Sequence, residues 1–428
     1  MTDLLTHNNA RLPRIRWLMI SMAFLATVMN YLHRLSFNYL SAQGVLRDLI
    51  PDDAFGYIAT AFFVAYMISN GVSGFIIDKL GTRLGYSLSM AFWTTAALLH
   101  AVAASPFQFG LFRFLLGFGE AGNWPSAIKL TAEWFTPAER STATGIFNSG
   151  AAVGAIVAPP LIAWMGTVYG WQATFIVIGV TGYIWLAAFW FIYYTPAQAV
   201  KESKAKVIPV NRLLQSRFVS WFFVSKFFTD PVWYFITFWI GRYLVDVYGW
   251  NLEKIGWFAM FPFIMADLGN IVGGICTQLI IKRGTPVSKA RKISVAVFGM
   301  IMVLSLLSGP FIIHSAATAL IVLAVAGFGY AAYTANTMTF PADVVPKSAT
   351  ASVWGIVSVG AGLGGAVFQS LSGYSVKHIS AASGYSTAYH LIFAGYGIIA
   401  LLGLCIVLFI MGPLQKNKKL YDYAGVEM

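Results

Sequence analysis

The residues in this sequence best suited to chemistry are charges set inside apolar runs. Arg34 and Arg113 each stand in a stretch otherwise dominated by aliphatic, aromatic and small residues, and Glu120 follows Arg113 by seven positions. A charge at bilayer depth costs at least a few kcal/mol on insertion scales, so it marks a pathway or a pair. A guanidinium presents a planar fork that matches a carboxylate. Burial and a neighbouring arginine act in opposite senses on a carboxylate's proton, so Glu120 is suited to gaining and losing one as its surroundings change. Two helical turns take about 7.2 residues, which sets Arg113 and Glu120 on nearly one face, about 10.5 Å apart along the axis. In that arrangement Arg113 tunes Glu120. His33 titrates near neutrality when free; it is a further proton carrier, or a hydrogen-bond partner for a ligand hydroxyl or a neighbouring helix. Two deep arginines against one deep carboxylate leave positive charge for an anionic ligand. Further along, Lys226, Asp230 and Asp267 read as gating or structural groups, with Lys226 pairing with one of the two acids.

These groups need elements that hold charge inside an apolar medium. The chain has 428 residues, of which 58% are hydrophobic and only 10% charged, where a soluble domain carries roughly 25%. That balance excludes an ordinary cytosolic enzyme, a disordered chain and a collagen, and points to a polytopic membrane protein. A spanning helix needs about 20 apolar residues. Twelve runs qualify, near 16–41, 54–78, 84–104, 107–132, 140–164, 172–194, 217–245, 254–281, 291–313, 316–340, 350–375 and 386–412. They are too long for barrel strands, and helices satisfy their own backbone groups in lipid, so the expected class is all-α. The polar stretch 196–216, with Lys201, Lys204, Lys206 and Arg212, separates six runs from six. The expected organisation is therefore an N-terminal bundle over 1–195, a linker over 196–216 and a C-terminal bundle with tail over 217–428.

Orientation follows from the basic residues. With the N-terminus in the cytoplasm, 20 of the 28 lysines and arginines fall in inside segments and four outside, the rest lying within spans. That bias places both termini and the linker in the cytoplasm. The net charge of +12 is dispersed and not interleaved with stacking aromatics, so it does not indicate a nucleic-acid partner. Cys276 and Cys405 sit in apolar runs and give neither a disulfide framework nor metal-ligand spacing. No motif for a cofactor, a metal or an enzymatic nucleophile appears, and no cleavable signal peptide is evident.

Two motifs carry a family resemblance. After the second run the sequence reads Gly74-Phe-Ile-Ile-Asp78-Lys79-Leu-Gly81-Thr-Arg83. There Gly74 allows close helix approach, Gly81 a tight turn, Asp78 a cap or a pair, and Lys79 with Arg83 an interfacial anchor. The spacing matches the signature loop of the major facilitator superfamily. Arg113-Phe-Leu-Leu-Gly117-Phe-Gly119-Glu120-Ala121 resembles that superfamily's fourth-helix pattern, and Gly274 to Gly284 is similar to a decayed second copy of the loop, with Gln278 where the first has Asp78. Asn30-Tyr31-Leu32-His33-Arg34, the stretch from Glu120 to Lys129 and Gly145 to Gly150 resemble the anion:cation symporter family; Lys226 to Pro231 and Phe261 to Gly269 resemble its hexuronate branch.

The resemblance implies two six-helix bundles, each a pair of inverted three-helix repeats, rocking around a midplane site. It implies proton-driven uptake of hexuronates such as glucuronate or galacturonate across a bacterial inner membrane, with no cofactor and as a monomer. Arg34 would grip the carboxylate, Glu120 carry the proton and Arg113 tune Glu120. Many relatives have an acid where this chain has His33, which bears on the proton count. With one secure carboxylate, a monoanion moves with one proton and no net charge. Tyr31, Tyr66, Trp124, Asn148, Trp233 and Asn336 are candidates for hydroxyl bonding and ring stacking, Tyr66 because the family carries a substrate-side tyrosine on its second helix. An aldonate, an aldarate or an unsaturated uronate shares the same groups, and a non-transporting sensor of sugar acids is the alternative of another class. Pro125, Pro159, Pro160, Pro262 and Pro341 should bend or interrupt helices, and Gly360, Gly362, Gly364 and Gly365 should allow close sliding contact.

Overall fold

The computed structural model describes residues 3–42, 44–135, 140–194 and 208–424, and these form helices with no strand among them. In chain order they are α1 (Asp3–Leu40), α2 (Gly44–Leu49), α3 (Asp52–Leu80), α4 (Thr82–Leu99), α5 (Pro106–Glu120), α6 (Asn123–Trp134), α7 (Arg140–Ile192), α8 (Val210–Leu214), α9 (Arg217–Tyr248), α10 (Leu252–Phe258), α11 (Phe261–Lys282), α12 (Val287–Ile312), α13 (Ala316–Thr337), α14 (Phe340–Val344), α15 (Lys347–Cys405) and α16 (Lys418–Ala424). Among the described residues seven helices are long and apolar enough to cross a membrane.

Two of these exceed what one crossing needs. α7 has 53 residues and α15 has 59, against about 20 for a bilayer core. Each is two helices joined at a glycine with positive φ, Gly170 (φ 82) and Gly384 (φ 81), a conformation that side chains with a Cβ disfavour. Of the other runs, one breaks where the sequence reads as continuous and one beside Pro262, which was expected to bend or interrupt its helix. The run 107–132 divides into α5 and α6 at Ala121–Gly122, where a Cβ on Gly122 would lie 2.0 Å from Ser89 Oγ. The run 254–281 divides into α10 and α11, with Pro262 in the first turn of α11. Pro159 and Pro160 sit inside α7 without ending it. The linker's residues 195–207 lie outside the described residues; beyond them the short α8 forms.

α1 packs on α7 and α3 on α5; α9 packs on α15 and α11 on α13. The N-terminal helices meet the C-terminal ones mainly through α3 against α15 and α7 against α10. Glycine permits the closest approaches: a Cβ on Gly56 would sit 2.8 Å from Gln369 O and 3.0 Å from Gly373 Cα, and one on Gly256 would sit 2.6 Å from Ala163 Cβ. Thr60 donates to Ala366 O at 2.9 Å, and a Cβ on Gly362 would lie 2.9 Å from Met67 Cβ. Farther toward the terminal end of the molecule, a Cβ at Gly71, Gly145, Gly274 or Gly355 would meet nothing within 4 Å. Between α3 and α15 the two groups of helices thus come closest around Gly56, Thr60, Gly362 and Gln369.

Candidate functional site

The charged centre joins α1 to α5. Arg34 on α1 makes a forked contact with Glu120 at the end of α5: Nε lies 2.9 Å and Nη2 2.8 Å from Oε2. Arg34 Nη2 also donates to Asn30 Oδ1 at 3.1 Å. The rings of Tyr31, Phe62 and Tyr66 each lie 5.1 Å from the guanidinium carbon, so one cation is caged by three aromatic faces. Glu120 is fully buried, and its second oxygen, Oε1, has no hydrogen-bond partner among the described residues. The Arg34 side chain retains 12% of its exposure. The pair therefore comprises a shielded carboxylate and a cation that keeps some exposure.

Arg113 acts on Glu120 through space and not by contact. It points back to α1, donating from Nη2 to Arg34 O at 2.9 Å and Asn38 Oδ1 at 2.8 Å. Its guanidinium lies 4.8 Å from the Phe37 ring and 5.6 Å from that of Phe238 on α9. The direct partner of Glu120 is thus Arg34 and not Arg113. Seven-residue spacing sets a common face but not side-chain direction.

For His33 the structure shows the second of the expected alternatives, a hydrogen bond to a neighbouring helix. The residue is 1% exposed, and its Nε2 sits 2.8 Å from Ile178 O on α7, away from the Arg34 cage. Asn336 is likewise consumed by packing: it bonds Thr277 and donates to Gly273 O at 3.2 Å and Ala332 O at 2.9 Å, joining α11 to α13. Tyr31 and Tyr66 are brought to the cage. Asn148 is exposed on α7. Trp124 is half-buried against Phe147, with ring centres 5.7 Å apart, and Trp233 stacks on Tyr330 at 5.7 Å. The second-half charges form the pair Lys226–Asp230, 2.6 Å apart, while Asp267 is half-buried on α11.

Within the Gly74–Arg83 loop, Gly81 adopts φ 80, which fits the tight-turn reading. Gly74 is not a point of close approach, since the nearest atom to an added Cβ is Pro125 Cβ at 4.0 Å. Lys129 donates to Ile77 O at 3.0 Å and Arg83 to Trp190 O at 2.7 Å, so this end of α3 is tied to its own group of helices. Lys79 is exposed; the side chain of Asp78 lies outside the described residues.

Sequence reasoning missed the second charged centre altogether. At the end distal to the termini Arg47 on α2 pairs with Asp52 on α3, and with Asp246 on α9 at 2.8 Å. Arg242 on α9 pairs with Asp52 at 2.9 Å and donates to Ile50 O at 2.7 Å. Tyr389 donates to Asp246 at 2.9 Å, and Lys377 reaches Asp53 at 2.7 Å. Arg47 and Arg242 count in the sequence only as charges outside the membrane. The available signal is that each lies four or five residues from an aspartate, Asp246 and Asp52, at the end of an apolar run.

Seven helices among the described residues, long and apolar enough to cross a membrane and enclosing a caged ion pair, are the arrangement of an integral membrane protein. Residues 17–369 match the Major Facilitator Superfamily, and the chain belongs to that family. It is an integral membrane protein and not an enzyme. It is 30% identical over 390 residues to the hexuronate transporter of Escherichia coli (strain K12), covering 85% of this chain and 88% of that one. It is 30% identical over 293 residues to the galacturonate transporter of Dickeya chrysanthemi (64% and 84% covered). It is 26% identical over 436 residues to a probable galactarate/D-glucarate transporter of Escherichia coli (strain K12), with 94% and 96% covered. Among solved structures, a bacterial homologue of the human lysosomal transporter Spinster, in an inward-facing and occupied conformation, superposes with TM-score 0.77 at 17% identity, covering 96% of this chain and 98% of that one.

Proposed function

We propose that this chain is a proton-coupled symporter of hexuronates such as glucuronate or galacturonate, acting by alternating access in a bacterial inner membrane. The observation that carries the reading is the caged pair: a forked arginine held by one oxygen of a buried carboxylate whose other oxygen is free. The names of the relatives, hexuronate and galacturonate transporters, support the substrate class. The reading includes twelve spans, cytoplasmic termini and linker, and two bundles over 1–195 and 217–428.

Ionised Glu120 occupies Arg34. A proton on Glu120 removes that competition and frees the guanidinium for a substrate carboxylate, which it binds through the same fork. Tyr31 and Tyr66 then supply hydroxyls and ring faces to the sugar. Loss of the proton to the cytoplasm restores the Arg34–Glu120 pair and expels the anion. Arg113 holds the backbone of Arg34 and the side chain of Asn38, and so positions α1 rather than touching substrate. On this topology the end distal to the termini faces outward.

Uptake of labelled glucuronate into proteoliposomes, with and without an inward proton gradient, tests the proposal. Accumulation only with the gradient is the expected result. Equal, non-accumulating uptake overturns the coupling, and no uptake of glucuronate or galacturonate overturns the substrate class.

A further inference from the structure

Asp267, in the middle of the apolar span Leu252–Lys282, is a charge that the cycle described above leaves unused. It is half-buried, and neither a cation nor a hydrogen-bond donor meets it among the described residues. The acid of α9, Asp230, is by contrast already matched: Lys226 lies 2.6 Å away, and Tyr330 of α13 bonds it as well. An ionisable group at membrane depth with no partner is costly, and marks a place where a partner arrives.

The packing of α11 shows which way Asp267 is turned. A Cβ on Gly269 would lie 2.3 Å from Phe328 O, and one on Gly273 2.7 Å from Ala332 Cα, so that side of the helix is filled by α13. Residues four and seven apart share a helix face, which groups Asp267 with Phe263 and Gly274. Phe263 meets the Trp233 ring of α9 edge-on, with ring centres 5.6 Å apart. A Cβ on Gly274 would meet nothing within 4 Å. Asp267 therefore stands on the side of α11 turned away from α13.

The Arg34 cage lies across from it. α11 packs on α7, and α7 packs on α1 where a Cβ on Gly154 would lie 2.8 Å from Tyr31 Cβ. Tyr31 is within electrostatic reach of Arg34, Tyr66 and Glu120 on its own side and of Asp267 on the other. A cage tyrosine thus stands between a cation that can take a carboxylate and a carboxylate that has nothing to pair with.

These two charges ask for opposite chemistry. The Arg34 guanidinium only donates hydrogen bonds, and an ionised Asp267 only accepts them. A hexuronate supplies both needs, with a carboxylate at one end and hydroxyls toward the other. An aldarate has a carboxylate at each end, so its second one would face Asp267 as like charge against like charge. Such a contact rejects a ligand more strongly than a small misfit in shape does.

Resting on the proposed transport of hexuronates, we propose that Asp267 is a specificity-determining residue: it accepts hydrogen bonds from the sugar hydroxyls remote from the carboxylate held by Arg34, and it excludes sugar acids that carry a second carboxylate there. The chain then takes monocarboxylates and refuses dicarboxylates of the same carbon skeleton.

The test is competition against exchange of labelled for unlabelled glucuronate in proteoliposomes, at the same neutral pH on both sides. In the wild type, galacturonate should compete within about tenfold of glucuronate, and glucarate and galactarate at least about 100-fold more weakly. A monomethyl ester of glucarate keeps the skeleton and removes one charge, and should compete like a uronate. Asp267→Asn should narrow the gap between uronates and aldarates at least about tenfold, glucuronate weakening as the aldarates strengthen. Aldarates that match glucuronate in the wild type, an ester no better than glucarate, or a gap unchanged in Asp267→Asn overturns the inference and leaves the proposed function standing. Absence of exchange with both glucuronate and galacturonate in the wild type overturns the function itself. The ester needs no variant, so it decides the matter if Asp267→Asn does not fold.

Discussion

Two arginine–carboxylate centres among the described residues look alike in chemistry and differ in what they join. The Arg34–Glu120 pair ties α1 to α5, both in the N-terminal group of helices. The distal cluster joins opposite groups: Arg47 to Asp246, Arg242 to Asp52, Lys377 to Asp53. On the proposed alternating access, contacts inside a bundle persist and contacts between bundles break. The central pair would then change only by gaining a proton or a ligand, whereas the distal cluster would come apart on each cycle. Under that proposal, position relative to the moving interface, and not residue type, separates a binding centre from a gate.

The largest effects should come from breaking the central pair. Arg34→Ala removes the anion grip and leaves Glu120 buried without its cation, a change worth about 3–5 kcal/mol in buried pairs generally. Glucuronate transport should fall by at least about 100-fold, in exchange as well as in uptake. Arg34→Lys keeps the charge but not the fork, and should recover only part of it. Substantial exchange in Arg34→Ala would place the anion elsewhere. Glu120→Gln comes next: an amide cannot cycle a proton, so accumulation driven by a pH gradient should disappear while exchange of labelled for unlabelled glucuronate remains measurable. Gradient-driven accumulation in this variant would remove Glu120 from the coupling.

The distal cluster should respond in the opposite way, by a shift in state more than a loss of chemistry. Asp52→Asn leaves Arg242 and Arg47 short of a counter-charge across the interface. Ser370, whose hydroxyl lies 2.7 Å from Thr60 between α15 and α3, reports on the seal. With Cys276 and Cys405 replaced, a Ser370→Cys reporter should label several-fold faster with an impermeant maleimide from outside once Asp52→Asn is added. Unchanged labelling would mean that the glycine contacts alone hold the distal end shut.

These two centres were not equally legible in the sequence. Arg34, Glu120, Tyr31 and Tyr66 stood out because charge or hydroxyls in an apolar run are conspicuous, and the motif spacing placed them on helices that do converge. The break between α5 and α6 and the turn of Arg113 toward α1 did not, because helical periodicity fixes a face and tertiary packing decides the reach of a long side chain. The distal cluster escaped because its members lie 199 positions apart, as with Arg47 and Asp246. At helix ends, charges are ordinary, and only the fold shows which of them meet. A neighbouring-helix partner for His33 was among the readings the sequence allowed; that Asn336 would be used up joining α11 to α13 was not.

The smallest effects test the comparison without touching any charge. A Cβ at Gly56 would press on Gln369 O and Gly373 Cα, backbone atoms that cannot rotate away, so Gly56→Ala wedges the distal end open. Gly71, about three turns from Thr60 on the same helix, meets nothing within 4 Å. There alanine is favoured in a helix by roughly 0.5–1 kcal/mol over glycine, and its methyl acts only when the terminal end closes. The two substitutions are chemically identical and should move the carrier in opposite directions. Gly56→Ala should raise Ser370→Cys labelling about two- to threefold, in the same sense as Asp52→Asn. Gly71→Ala should leave it unchanged or lower it slightly, because any crowding at the terminal end disfavours the state in which the distal end is open. A rise in both would show that loosening either interface relaxes the whole molecule, and that the two ends are not the alternating seals of one rocking motion.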